Sequence, residues 1–123
     1  MKFYVCKHCG NIIQFSKESG VPVMCCGQKM EELVPGTTDG ATEKHIPVIT
    51  IDGNLVTVTV GSVEHPMVEN HYIEWIVLET KKGSQKVKLS YTDTPKAEFL
   101  LTEGDAVIAA YEYCNLHGLW KSN

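Results

Sequence analysis

The chain contains no arginine: all 11 of its basic residues are lysine, and with 15 acidic residues its formal net charge is −4. It therefore lacks the planar, bidentate fork used to grip phosphate and guanine, and its surplus charge repels a polyanion, so nucleic-acid binding is excluded as a primary function. No apolar run approaches the ~18 residues of a membrane-spanning helix. The opening "MKFYVCKHCG" has no apolar core of the signal-peptide kind, so the expected location is cytoplasmic, without membrane association. There are no biased tracts and no internal repeats. What is present is 43% hydrophobic residues in 123, a length that allows one domain of ordinary size or a modest domain plus a very small one.

Four of the five cysteines, Cys6, Cys9, Cys25 and Cys26, fall in the first 26 residues. Cytoplasm keeps thiols reduced, so an odd number of cysteines without an export signal points to metal ligands or reactive thiols. The "CKHC" spacing lets both sulfurs and the intervening amides turn toward one ion. Adjacent Cys25 and Cys26 share that ion only if the backbone turns sharply, because neighbouring side chains of an extended chain point apart. Gly27 suits such a turn. Spacing alone leaves open a structural zinc ribbon, an iron site with four sulfurs, and a vicinal disulfide between Cys25 and Cys26. His8, inside the "CKHC" loop, reads as an exposed loop histidine. A segment of about 35 residues is too short to fold unaided, and metal binding by thiolates supplies about 10–16 kcal/mol where so small an apolar core supplies about 3–5.

After the turn-rich "VPGTTDGATE" the pattern changes to short strands. "IPVITI", "DGN" and "LVTVTV" read as a hairpin with a tight Asp-Gly turn; "YIEWIVLET", "KKGS" and "QKVKLSY" read as a second, with Val87, Leu89 and Tyr91 alternating against Lys86, Lys88 and Ser90. "AEFLL" and "VIAAYEYC" complete six or seven strands with no amphipathic helix. The expected fold is mainly β: a small metal-stapled domain over residues 1–36 and an immunoglobulin-like two-sheet antiparallel sandwich over residues 37–123.

His45, His65, His71 and His117 all lie in the second part, each at a strand end or turn, and Cys114 stands three residues before His117. Singly, each is an ordinary surface or capping histidine. Together, four imidazoles and one thiolate form a five-donor set. Structural zinc closes its shell at four, whereas five nitrogen and sulfur donors suit iron in an octahedral frame with one position open. Cys114 then becomes the axial thiolate and His117 one of four equatorial imidazoles, with Gly118 letting the loop pass close to the metal.

The motifs "CKHCG", "CCGQKM", "TDGATEKHIPVI", "GSVEHPM", "HYIEWI" and "EYCNLHGLW", in this order over nearly the whole chain, closely resemble the desulfoferrodoxin family, the two-iron form of superoxide reductase. The resemblance implies a distorted rubredoxin-like iron centre on Cys6, Cys9, Cys25 and Cys26. It implies a second, square-pyramidal ferrous centre on His45, His65, His71, His117 and Cys114, and a homodimer. The implied reaction is one-electron reduction of superoxide to hydrogen peroxide without release of oxygen, with re-reduction by a carrier such as rubredoxin, in an anaerobic or microaerophilic prokaryote. Lys44 adds a positive charge at the open face, worth roughly 2–3 kcal/mol at about 6 Å and an effective dielectric of about 20. Glu43, by the same resemblance, covers the open position in the oxidised state. The amides of Leu116 and His117 are expected to donate to the Cys114 sulfur. The competing readings are a zinc ribbon joined to an adhesion-like sandwich, and an electron carrier using the first cluster alone.

Overall fold

The computed structural model describes residues 1–123, and the chain divides into two compact units, Met1–Val34 and Pro35–Asn123. In the first, strands β1 (Phe3–Val5), β2 (Ile12–Ile13) and β5 (Glu31–Leu33) form an antiparallel sheet in the order β2-β1-β5, and β3 (Met24–Cys25) pairs with β4 (Gln28–Lys29). Phe3, Val5, Cys6 and Met30 are its buried core. None of its strands exceeds three residues, so local pairing contributes little and the cysteines must hold the unit together. Cys26 and Gly27 are the two central residues of the β3–β4 turn and both have positive φ, 52° and 73°. Two left-handed residues between paired strands make the primed turn whose twist matches a hairpin, and this is how adjacent cysteines come to face one point.

The second unit opens with a four-residue helix, α1 (Thr42–His45). One sheet runs β10-β7-β6, from β10 (Lys96–Leu100), β7 (Leu55–Val60) and β6 (Pro47–Asp52). The other runs β12-β11-β8-β9, from β12 (Gly118–Lys121), β11 (Val107–Cys114), β8 (Ile73–Thr80) and β9 (Gly83–Lys88). All pairings are antiparallel. Val56, Val58 and Val60 alternate inward from β7 and Ala97 and Phe99 from β10, meeting Ile76, Leu78 and Ala110 of the other sheet. Each of the larger side chains here, valine, isoleucine, leucine or phenylalanine, contributes about 1.5–3 kcal/mol by leaving water. This is the two-sheet antiparallel fold expected from the strand pattern.

Two elements differ from the sequence reading. Helix α1 begins within the segment read as linker and runs two residues past it, and "GLWK", not counted among the expected strands, is a strand pairing with β11. Both are too short for periodicity to reveal. Strand β9 also ends at Lys88, although Leu89 remains buried. Glu112 lies opposite Ile76 and Trp120 in β11, fully buried, with neither carboxylate oxygen hydrogen-bonded; burial pushes it up to about 9, so it is carried as a neutral acid.

Candidate metal centres

The four sulfurs of Cys6, Cys9, Cys25 and Cys26 lie within 4.8 Å of one another. Cys6 terminates β1, and its carbonyl accepts the Gly10 amide at 2.8 Å, closing the knuckle that brings Cys9 back. The Cys9 amide donates to Cys6 Sγ at 3.5 Å, and with His8 it draws the Cys6 thiol down to about 6 against the opposing effect of burial. Cys26 is pushed the other way, to about 12, chiefly by sharing hydrogen bonds with Cys9 and Cys6. Four sulfurs that cannot all ionise in isolation are the signature of a set that needs a cation to neutralise it.

The second cluster is assembled from four places: the end of α1 (His45), the turn after β7 (His65), the residues before β8 (His71), and the β11–β12 hairpin, with Cys114 at the end of β11 and His117 in the turn. A register shift between Tyr113 and Cys114 lets Cys114 stand opposite Ile73 and turn into the buried interior. The imidazoles form a closed circuit in which each ring stands edge-on to the next: His45 to His65 at 4.7 Å, His65 to His71 at 4.7 Å, His71 to His117 at 5.0 Å, and His117 to His45 at 4.9 Å. His45 Nε2 lies 3.2 Å from both His65 Nε2 and His117 Nδ1, near the about 3.0 Å separation that neighbouring corners of a square take when each nitrogen is about 2.1 Å from a central ion. Cys114 Sγ is 3.6 Å from His65 Nε2 and 3.8 Å from His117 Nδ1. Those two rings are diagonal members of the circuit, so a sulfur close to both stands over its centre and not along an edge. The arrangement is a square with one sulfur on its axis.

The electrostatics fit an ion. Burial pushes His65 down to about 4 and lowers His45 and His71, leaving lone pairs free for coordination. His45 Nδ1 is 2.8 Å from the Ala41 carbonyl and His65 Nδ1 2.6 Å from that of Pro66, so each ring donates there and presents Nε2 inward. His71 Nε2 is buried without a hydrogen-bond partner, an orphaned acceptor that a cation satisfies. Burial raises the Cys114 thiol, while the amides of Leu116 and His117 donate to its sulfur and oppose the rise.

The loop before α1 closes over this square. Thr38 donates its hydroxyl to the His117 carbonyl, and Trp120 stacks on His45 at 4.9 Å and donates Nε1 to the same carbonyl at 3.0 Å. A Cβ on Gly40 would lie 3.1–3.3 Å from Trp120, His45 and His117, so a larger residue would have to push these side chains back by a few tenths of an ångström. Sequence reasoning passed over Thr38, Gly40 and Trp120, whose one signal is the short spacing of "TTDG" from His45. Glu43 and Lys44 are exposed on α1, and the Lys44 charge contributes to lowering His71. The Glu43 carbonyl accepts the Val63 amide at 2.9 Å and the Ser62 hydroxyl at 3.3 Å, which fixes α1 to the turn after β7. Gly61, at φ +85°, makes that turn: a Cβ would overlap the Val63 carbonyl and stand 2.8 Å from that of Glu43. Gly61→Ala is therefore expected to cost about 2 kcal/mol or more in thermal unfolding of the apoprotein. A melting temperature equal to the parent's would show that the turn relaxes freely.

Fold and site together define an antiparallel β domain carrying a mononuclear four-histidine, one-cysteine metal centre, accompanied by a small four-cysteine unit. The desulfoferrodoxin family profile matches residues 37–123. The chain is 50% identical to a desulfoferrodoxin of Nitratidesulfovibrio vulgaris over 98% of this chain and 94% of that one. It is 45% identical to a desulfoferrodoxin homolog of Archaeoglobus fulgidus over 99% and 96%. Among solved structures, superoxide reductase from Treponema pallidum superposes with a TM-score of 0.83 at 40% identity, covering 99% of this chain and 98% of that one. The chain belongs to the desulfoferrodoxin family. No helix in it is long and apolar enough to cross a membrane.

Proposed function

We propose that the chain is a superoxide reductase, converting superoxide to hydrogen peroxide with one electron and two protons and releasing no oxygen. The observation that carries this is the square of His45, His65, His71 and His117 with Cys114 on one side, which leaves the opposite face free of protein donors. Iron, when bound there, supplies the electron. Residues 37–123 are the reductase domain, and residues 1–36 hold a second iron on Cys6, Cys9, Cys25 and Cys26. The chain's own part is to keep the imidazoles of His45, His65 and His71 neutral by burial, to hold the Cys114 sulfur with the Leu116 and His117 amides, and to draw the anionic substrate with Lys44. Glu43 covers the open face after turnover. A small carrier of the rubredoxin kind restores the electron, the assembly is a homodimer, and the location is the cytoplasm, in keeping with five free thiols.

Anaerobic loading with ferrous iron, metal analysis and pulse radiolysis test the proposal: two irons per chain and fast loss of superoxide without oxygen release are expected. A loaded protein inert to superoxide refutes it. Because the two donor sets share no residue, Cys9→Ser should disturb the first centre and leave superoxide reduction within about twofold of the parent. Loss of both together would show that the centres depend on one another.

A further inference from the structure

Two of the four imidazoles, His45 and His65, are held at the ring by a carbonyl on Nδ1, and the backbone of His117 is stapled through its own carbonyl by Thr38 and Trp120. His71 has no such carbonyl, and its Nε2 is buried and unpartnered. Its direction is set by its backbone and by edge-on packing against the rings of His65 and His117. Val68 and His71 exchange amide-to-carbonyl bonds at 3.0 Å, and the residues on either side of His71 are gripped by one side chain. Asn115 Oδ1 accepts the Tyr72 amide at 3.0 Å, and Asn115 Nδ2 donates to the Asn70 carbonyl at 3.0 Å. The Asn115 amide adds a bond to the Tyr72 carbonyl at 3.2 Å. An amide N–H only donates and a carbonyl only accepts, so the two partners also fix which end of the Asn115 side chain is oxygen.

We propose that Asn115 is the positioning residue of His71, locking that imidazole in register with the axial sulfur of its own neighbour, Cys114. The geometry asks for asparagine. Aspartate offers the acceptor but sets an oxygen against the Asn70 carbonyl, and alanine offers neither bond. The lock ties the third corner of the square to the hairpin that carries the sulfur and the fourth corner. This inference rests on the ligand assignment above.

The test uses the full chain under anaerobic conditions, with ferrous iron as the probe. Affinity at the second centre is measured by chelator competition, and the visible thiolate band of its oxidised form is recorded. The first centre serves as internal standard. Asn115→Ala is expected to weaken second-centre affinity by about 10–100-fold and to shift that band. Asn115→Asp, which keeps the Tyr72 acceptor, should also weaken it, and both should leave the first centre unchanged. Val58→Ala, a core truncation at a residue that donates to neither cluster, should lower the melting temperature with affinity and band unaltered. If Asn115→Ala binds like the parent while His71→Ala loses the ion, the positioning role is overturned and the ligand set stands. If His71→Ala itself binds like the parent, the ligand assignment fails and the lock with it. A Val58→Ala loss equal to that of Asn115→Ala would reduce the effect to general destabilisation and overturn the proposal.

Discussion

Cys114→Ser and His117→Ala are each expected to reduce iron from two ions per chain to one, with the colour of the four-cysteine centre intact and superoxide reduction abolished. Cys114 is the single sulfur of the second cluster, fully buried, and two backbone amides already point at it. A serine there presents a hydroxyl that does not ionise in a buried site, so the axial charge vanishes and the two amides face a weak acceptor. Removing His117 opens the circuit between His71 and His45 and leaves diagonal support for the sulfur on one side only. Metal analysis with visible spectroscopy checks both variants. Two irons retained in both would mean that the second ion lies elsewhere.

Lys44→Ala and Glu43→Ala, adjacent on α1, are expected to fail differently. Lys44 is a positive charge felt at His71, so its loss should lower the second-order rate with superoxide roughly tenfold, equivalent to about 1.4 kcal/mol, and flatten the dependence of that rate on ionic strength. Glu43→Ala should leave that step within about twofold, since its carboxylate acts on the oxidised form. Its effect should appear as easier entry of azide in an anion titration of the oxidised protein. Pulse radiolysis of the reduced variants separates the two. Equal behaviour of the pair, or a Lys44→Ala rate equal to the parent's, refutes local attraction of the substrate even with the iron centre intact.

The contrast between β7 and α1 shows what a local pattern carries. "LVTVTV" alternates over six residues and buries Val56, Val58 and Val60, so its period alone declares a strand with one face inward. "TEKH" spans a single turn with no side-chain cap, and its helix exists because Val63 and Ser62 hold the Glu43 carbonyl from 19 or more residues away. No window of sequence contains that information. β12 was hidden for the same reason, since four residues after a glycine become a strand only by pairing with β11.

The sequence by itself determined the donors: four cysteines crowded at one end, four histidines and a fifth cysteine beyond them, a net acidic chain without arginine, and strands to separate them. Donor chemistry is a property of residue type, and the spacings of Cys6 with Cys9 and of Cys114 with His117 are local enough to be read directly. The tertiary structure decided the order of the square, the side on which the sulfur stands, and the grip of Asn115 on both flanks of His71. Apart from His65 with His71 and Cys114 with His117, those relations join residues 20 to 72 apart in the chain, and only the packing of two sheets over a common core sets such distances.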